Sequence, residues 1–333
     1  MNVRNLLCSA ALAAGVMAAA GVCYAQDHGG DWHGPEWSDA QVQVEHAAAR
    51  LVVIPEARSN VSVTVHHGDS RLPELTVRQE GDRVIVDGGL QRGPFGEVAQ
   101  RTRCVGSYTV THIGPLTHTM DNRAVVVGGV GRVAYGDLPV ITARVPLNAR
   151  VAGASAVYGD VGRSESLKLS SAGCGDWTVA DVHGHLTVAT AGSGDVQAGA
   201  AGGLTAKLAG SGDLRSGPVG SDVEVSLAGS GDVTTGAITG GLKARIAGSG
   251  DIAVASIEGP VEASIAASGD IRIHGGHSPH VKASVAGSGD FSFNGQADSL
   301  SGSVVGSGDI SVAHVTGEVS KSVIGSGEVR AGR

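Results

Sequence analysis

Through the C-terminal half of the chain, apolar residues fall at fixed distances from a recurring acidic residue. Counted from Asp232 they stand one, six, ten and fourteen positions on, at Val233, Ile238, Leu242 and Ile246, with Ala244 at twelve. Counted from Asp251 the same places hold Ile252, Ile257, Val261, Ala263 and Ile265, and from Asp309 they hold Ile310, Val315, Val319 and Val323. The spacing of two within the last group is strand spacing, with side chains alternating in and out; a helix would need three and four. Glycines break each repeat again at Gly240, Gly259 and Gly317, so the pattern predicts short strands joined by glycine corners.

The acidic residue closes a repeated tetrapeptide. Gly-Ser-Gly-Asp begins at Gly192, Gly210, Gly229, Gly248, Gly287 and Gly306, with variants at Ala267 and Gly325, and the starts are 18, 19, 19, 19, 20, 19 and 19 residues apart. Gly173-Cys174-Gly175-Asp176 is one further copy, and weaker Tyr-Gly-Asp echoes end at Asp160 and Asp137. A period near twenty is a solenoid signature. At ~3.3 Å per residue, such a repeat traces a closed path of roughly 60 Å, a narrow section that suits the small residue at position twelve. The expected fold is all-β: a single-stranded parallel β-helix of about 19-residue coils behind an irregular N-terminal strand-rich cap, wound right-handed by the usual chirality of parallel crossovers. The expected divisions are a signal peptide at 1–25, a flexible segment at 26–40, the strand-rich part at 41–172 and the regular coils at 173–333.

Two columns of charge follow from stacking these coils. About eleven positions after the acid come Glu224, Lys243, Glu262 and Lys282, alternating in sign at a coil spacing of ~4.8 Å, which reads as register control and solubility. The corner acids Asp195, Asp213, Asp232, Asp251, Asp270, Asp290 and Asp309 form a ladder of like charge. Neighbours at that spacing repel by roughly 1 kcal/mol in water and ~3 to 4 kcal/mol at an effective dielectric of 20. Backbone N–H groups within each turn would offset this; a row of calcium ions would do so too, since hard cations take carboxylate oxygens. Calcium-binding nonapeptide repeats carry an acidic turn about every nine residues, whereas this chain has one per coil, which favours the structural turn.

The N-terminus reads as a targeting segment: Arg4, an apolar run from Leu6 to Val22, and Cys23-Tyr24-Ala25 ahead of a cut after Ala25. Export leaves Cys104 and Cys174 in an oxidising compartment, where a disulfide between them is the leading expectation. With 32 acidic against 24 basic residues, no basic field gathers phosphates and nucleic acid is not an expected partner. Beyond the N-terminus no apolar run approaches the ~20 residues of a membrane helix.

Those Ser-Gly-Asp turns, together with the strand-like Val61–Val65, Gly81–Val86 and Ile141–Pro146, are similar to the family of auto-transporter adhesin head domains, the GIN domain. The resemblance covers about residues 40 to 330, with residues 91 to 135 as an insertion. It implies an exported β-helical domain of the envelope or surface and carries no catalytic residues over. No membrane barrel follows Gly325, so the chain is not expected to translocate itself.

Other chemistry is sparse. Asp27, His28, Asp31, His33 and Glu36 crowd the start of the mature chain, His274, His277 and His280 interrupt one repeat, and His183 lies beside His185; solvated tails and loops account for all of them. No Gly-x-Ser-x-Gly elbow, His-Glu-x-x-His or phosphate loop occurs. The function expected is a non-catalytic, adhesin-like protein presenting a repetitive face, with envelope polysaccharide or a surface protein as partner and self-association through the open C-terminal coil as a further route. A calcium-stabilised solenoid and a polysaccharide lyase or hydrolase are the alternatives. The enzyme would want clustered carboxylates beside aromatic platforms, whereas Phe291 and Phe293 are the sole aromatics from Gly192 onward.

Overall fold

The structure is a computed structural model that describes residues 22–23, 32–33, 41–67, 71–81, 83–90, 102–113 and 116–333. Of the expected signal peptide and N-terminal segment, only the backbone of Val22–Cys23 and Trp32–His33 falls within that set. The chain forms two compact units, Met1–Asp160 and Val161–Arg333. Among the described residues there is no α-helix, only one 3-10 turn at Tyr135–Asp137.

The second unit is the parallel β-solenoid that the repeat predicts. Val233–Ile238 pairs in parallel with Ile252–Ile257, Leu242–Ile246 with Val261–Ile265, and that strand in turn with Val281–Val285. Each pairing joins residues one coil apart, so identical places in the repeat stack into columns. Ser166–Gly173 pairs in parallel with Val182–Thr190, ahead of the first Gly-Cys-Gly-Asp corner.

The inward columns at positions one, six, ten and fourteen are buried as expected: Val233, Ile238, Leu242 and Ile246 are at most 2% exposed, and Ala244 at twelve is fully buried. A further inward column stands at position three, through Ser216, Thr235, Val254, Ile273, Phe293 and Val312. Its mixture of polar and apolar types hides it from a hydrophobic pattern. Phe291 and Phe293 point into the core, at 1% and 0% exposure, and so offer no platform for a sugar.

Glycine at the corners is dictated by the stacking. A Cβ on Gly250 would run into the carbonyl oxygen of Gly231 one coil below, and one on Gly248 into that of Gly229. Only a residue without a side chain lets backbones approach this closely.

At the C-terminal end the last coil departs from the repeat. Position twelve, held by Ala244, Ala263 and Ala283 in three successive coils, is then Gly302 and finally Lys321. A Cβ on Gly302 would press on the Val329 side chain, and the Lys321 ammonium donates to the Val329 carbonyl at 2.7 Å. Val323 and Ile324 on this coil are 42% and 67% exposed.

In the first unit the strand Gln41–Glu56 changes partner along its length. Its first part pairs in parallel with Arg83–Asp87 and its second with Val140–Pro146, which also pairs antiparallel with Ser62–His66. The switch falls at His46, whose φ of 50 places a non-glycine residue in the left-handed region. Residues 91–135, expected as an insertion, contain two small separate sheets: Thr102–Val105 with Ala124–Val127 and Gly131–Ala134, and the hairpin Tyr108–Ile113 with Leu116–Asp121.

Candidate functional site: a groove along the coils

The corner acids form a continuous ladder. The backbone N–H of Asp195 donates to Oδ1 of Asp176, and the same bond recurs at every coil through Asp213, Asp232, Asp251, Asp270, Asp290 and Asp309 to the N–H of Glu328, at 2.7 to 3.1 Å. The expected bonds within each carboxylate's own turn are therefore replaced by bonds between coils. Parallel stacking brings the next N–H directly over the acceptor, and a charge-assisted hydrogen bond offsets much of the repulsion between neighbours. Arginines take the second oxygens at intervals: Arg215 on Asp213, Arg272 on Asp251 and Asp270, and Arg330 on Asp309. The pKa of Arg272 is raised, chiefly by its hydrogen bond to Asp251. Among the described residues, no three of these acids bring ligand oxygens together at metal-binding distance.

The described residues hold one such three-ligand group, Glu45, His46 and Asp87 in the first unit. An arginine already occupies it: Arg78 reaches Glu45 at 2.5 Å and the buried Asp87 at 3.1 Å, while the Gly89 N–H donates to Asp87. This is a satisfied ion-pair network around a strand junction, and its cation is built in. Nothing in the hydrophobic pattern marks it, because its members come from three separate strands.

The histidines singled out by sequence do not converge. His183 meets Glu165, His277 meets Asp298, His185 meets Thr205 and His280 meets Ser299, each at 2.9 to 3.2 Å. These are one-to-one contacts between adjacent coils. Asp27, His28, Asp31 and Glu36 lie outside the described residues, as do the side-chain contacts of His33. Cys104 stands on Thr102–Val105, Cys174 follows Gly173 at the first corner, and each is disulfide-bonded.

What the second unit does offer is an open groove of about 590 Å³ running across several coils, lined by His185 and Thr205 at one end and by Lys282 and His280 at the other. Its middle is the alternating column itself, Glu224, Lys243, Glu262 and Lys282, held in register by strand pairing. Asp222, Gly241 and Pro260 form the neighbouring wall. The alternating charges stand on adjacent coils, but no ion pair joins one to the next. Glu224 pairs with Arg245 at 3.3 Å instead of Lys243, and Lys243, Glu262 and Lys282 hold no ion pair or hydrogen bond with one another. Sequence could place these charges on one line but not show that they border a cavity, since Asp222, Pro260 and His280 carry no repeat signal.

The second unit is thus an all-β solenoid with a charged groove on its flank. Residues 140–276 match the family described as "Putative auto-transporter adhesin, head GIN domain". Among solved structures it is similar to a "putative adhesin" from Parabacteroides distasonis ATCC 8503, at 15% identity over 91% of this chain and 97% of that one, with a TM-score of 0.38. A "Putative lipid binding protein" from the same organism is 14% identical over 91% and 96%, with a TM-score of 0.37. A "putative adhesin" from Bacteroides fragilis NCTC 9343 is 12% identical over 91% and 97%, with a TM-score of 0.29. No curated protein matches the chain. No helix among the described residues is long and apolar enough to cross a membrane.

Proposed function

We propose that this chain is an exported, non-catalytic, adhesin-like protein of the cell envelope or surface that binds its partner along the groove of the second unit. The observation that carries this reading is the row of charges without an ion-pair partner, Lys243, Glu262 and Lys282, along a cavity spanning several coils in register. The family matched by residues 140–276 supports an adhesin-like role. The carboxylates of the groove support a binding role over hydrolysis. Glycoside hydrolysis uses a pair of carboxylates on either side of the scissile bond; here Asp222 accepts the Gly241 N–H at 2.7 Å and Glu224 pairs with Arg245, which leaves Glu262 alone. Envelope polysaccharide or a surface protein is the partner class, and nucleic acid is not, given the net charge of -8.

Export is tested by fractionating cells that express a C-terminally tagged chain. A form cut after Ala25 and found outside the cytoplasm is expected; an uncut cytoplasmic form overturns the assignment. Binding is tested by retention of the mature chain, residues 26–333, on cell walls, with Thr205→Trp placed to fill the groove. Retention that survives this variant rejects the groove. The proposal includes pairing of Cys104 with Cys174, for which alkylation without reductant should modify neither thiol and peptide mapping should recover them linked.

A further inference from the structure

Resting on the groove reading above, we infer that the groove takes a linear acidic glycan carrying one anionic group per disaccharide, in preference to one with an acid on every sugar. The repeat of the groove's charges sets this choice. Coils stack at ~4.8 Å, so Lys243 and Lys282, two coils apart, stand roughly 9.6 Å from each other along the axis, with Glu262 between them. None of the three is engaged by another side chain, while the next charge along, Glu224, is neutralised by Arg245. The pattern presented to a ligand is therefore plus, minus, plus, with a period of two coils.

An extended pyranose chain advances by one ring and one glycosidic oxygen per sugar, which is close to the ~4.8 Å between coils. A ligand with an acid on every sugar would set one anion against Glu262 for every pair it gave to the lysines, and like charges so close are repulsive. A ligand with an acid on alternate sugars places its anions on Lys243 and Lys282, and its intervening hydroxyl or amide donors on the Glu262 carboxylate. An extended acidic peptide fits less well, because side chains on one face of a strand recur every ~6.8 Å, out of step with the lysines. The overall charge of -8 acts in the same sense: it penalises a densely charged polyanion more than a sparse one.

The test is calorimetric titration of the mature chain with three polymers: hyaluronan, with a carboxylate on alternate sugars; polygalacturonate, with one on every sugar; and neutral dextran. Hyaluronan is expected to bind about tenfold or more tightly than either of the others. Lys243→Ser combined with Lys282→Ser should abolish that advantage, Glu262→Gln should narrow the gap to polygalacturonate, and Lys168→Ser on an outlying strand should change nothing. Circular dichroism confirms that each variant is folded. Dextran or polygalacturonate binding as tightly as hyaluronan, or hyaluronan binding that is indifferent to the lysine pair, overturns the inference; where Thr205→Trp still abolishes that binding, the groove itself stands. Binding that survives both the lysine variant and Thr205→Trp overturns the two together, as does failure of all three polymers to bind while cell walls retain Thr205→Trp.

Discussion

The unit Val161–Arg333 and the described strands before it draw on the same small, β-branched and glycine-rich alphabet, yet they secure themselves in opposite ways. In the solenoid, each stabilising contact is a column: Gly250 stands over Gly231, Ile265 over Ile246, and each corner N–H over the carboxylate one coil below. In the first unit the contacts are single events. Arg78 joins Glu45 and Asp87, and Arg123 lies 3.7 Å from the Tyr135 ring, itself edge-on to Tyr158 at 5.1 Å. Repetition spreads the load over many equivalent places, whereas the irregular unit concentrates it in a few side chains. Damage to a column should therefore be graded by whether it breaks the stack, and damage to the first unit by which residue is lost.

The largest effect is expected from Ile246→Asp, which buries an unpaired charge in a fully enclosed column; several kcal/mol of stability should be lost in denaturant unfolding. Its outward neighbour Lys243→Ser should change stability by less than about 0.5 kcal/mol. Equal effects would undo the division into inside and outside. Next comes Gly250→Ala, at about 3 kcal/mol, since backbone must move to admit the methyl group, against a near-neutral Gly275→Ala where nothing lies within 4 Å. Arg78→Ala should cost the first unit about 2 to 3 kcal/mol by stranding the buried Asp87, a value reduced because the arginine is 28% exposed. Loss no greater than for a surface arginine would reject the network as a local keystone.

Smaller again is the corner ladder. Asp232→Ala should cost about 1 kcal/mol by orphaning the Asp251 N–H, while Asp232→Asn, which keeps the acceptor, should cost less. The same ladder predicts a thermal midpoint indifferent to calcium or chelator; a rise of many degrees with calcium would make the column a metal site after all. The smallest effect belongs to Asp121, whose carboxyl is held below the usual range chiefly by its hydrogen bond from Arg123. A depressed pKa contributes stability above the unfolded value and loses it as pH falls through the folded one. The gap between the native chain and Asp121→Asn should thus be present at pH 7 and shrink below about pH 4.

Much of this architecture was legible from residue spacing because a solenoid repeats its own environment: what is inside at Val233 is inside again at Ile252. The column at position three escaped notice because Ser216 and Thr235 are buried there beside Val254 and Phe293, and polar residues inside a strand carry no periodic signal. The Tyr-Gly-Asp echoes at Asp137 and Asp160 read as weak corners, whereas Tyr135–Asp137 is a 3-10 turn and Asp160 sits within the strand Asn148–Val161. Their tyrosines meet each other around Arg123, a contact between distant segments that no local spacing encodes.

The sequence by itself determined the coil: its length, its strand faces, its glycine corners and the two charged lines that stacking must create. Tertiary structure alone decided how those charges are used. The corner carboxylates bond forward to the next coil because parallel register sets an N–H above each one. The flank charges stay available because Arg245 reaches diagonally to Glu224 while Lys243, Glu262 and Lys282 open onto a groove. Spacing along a chain fixes which residues share a line; only the packed backbone fixes which neighbour each side chain can reach.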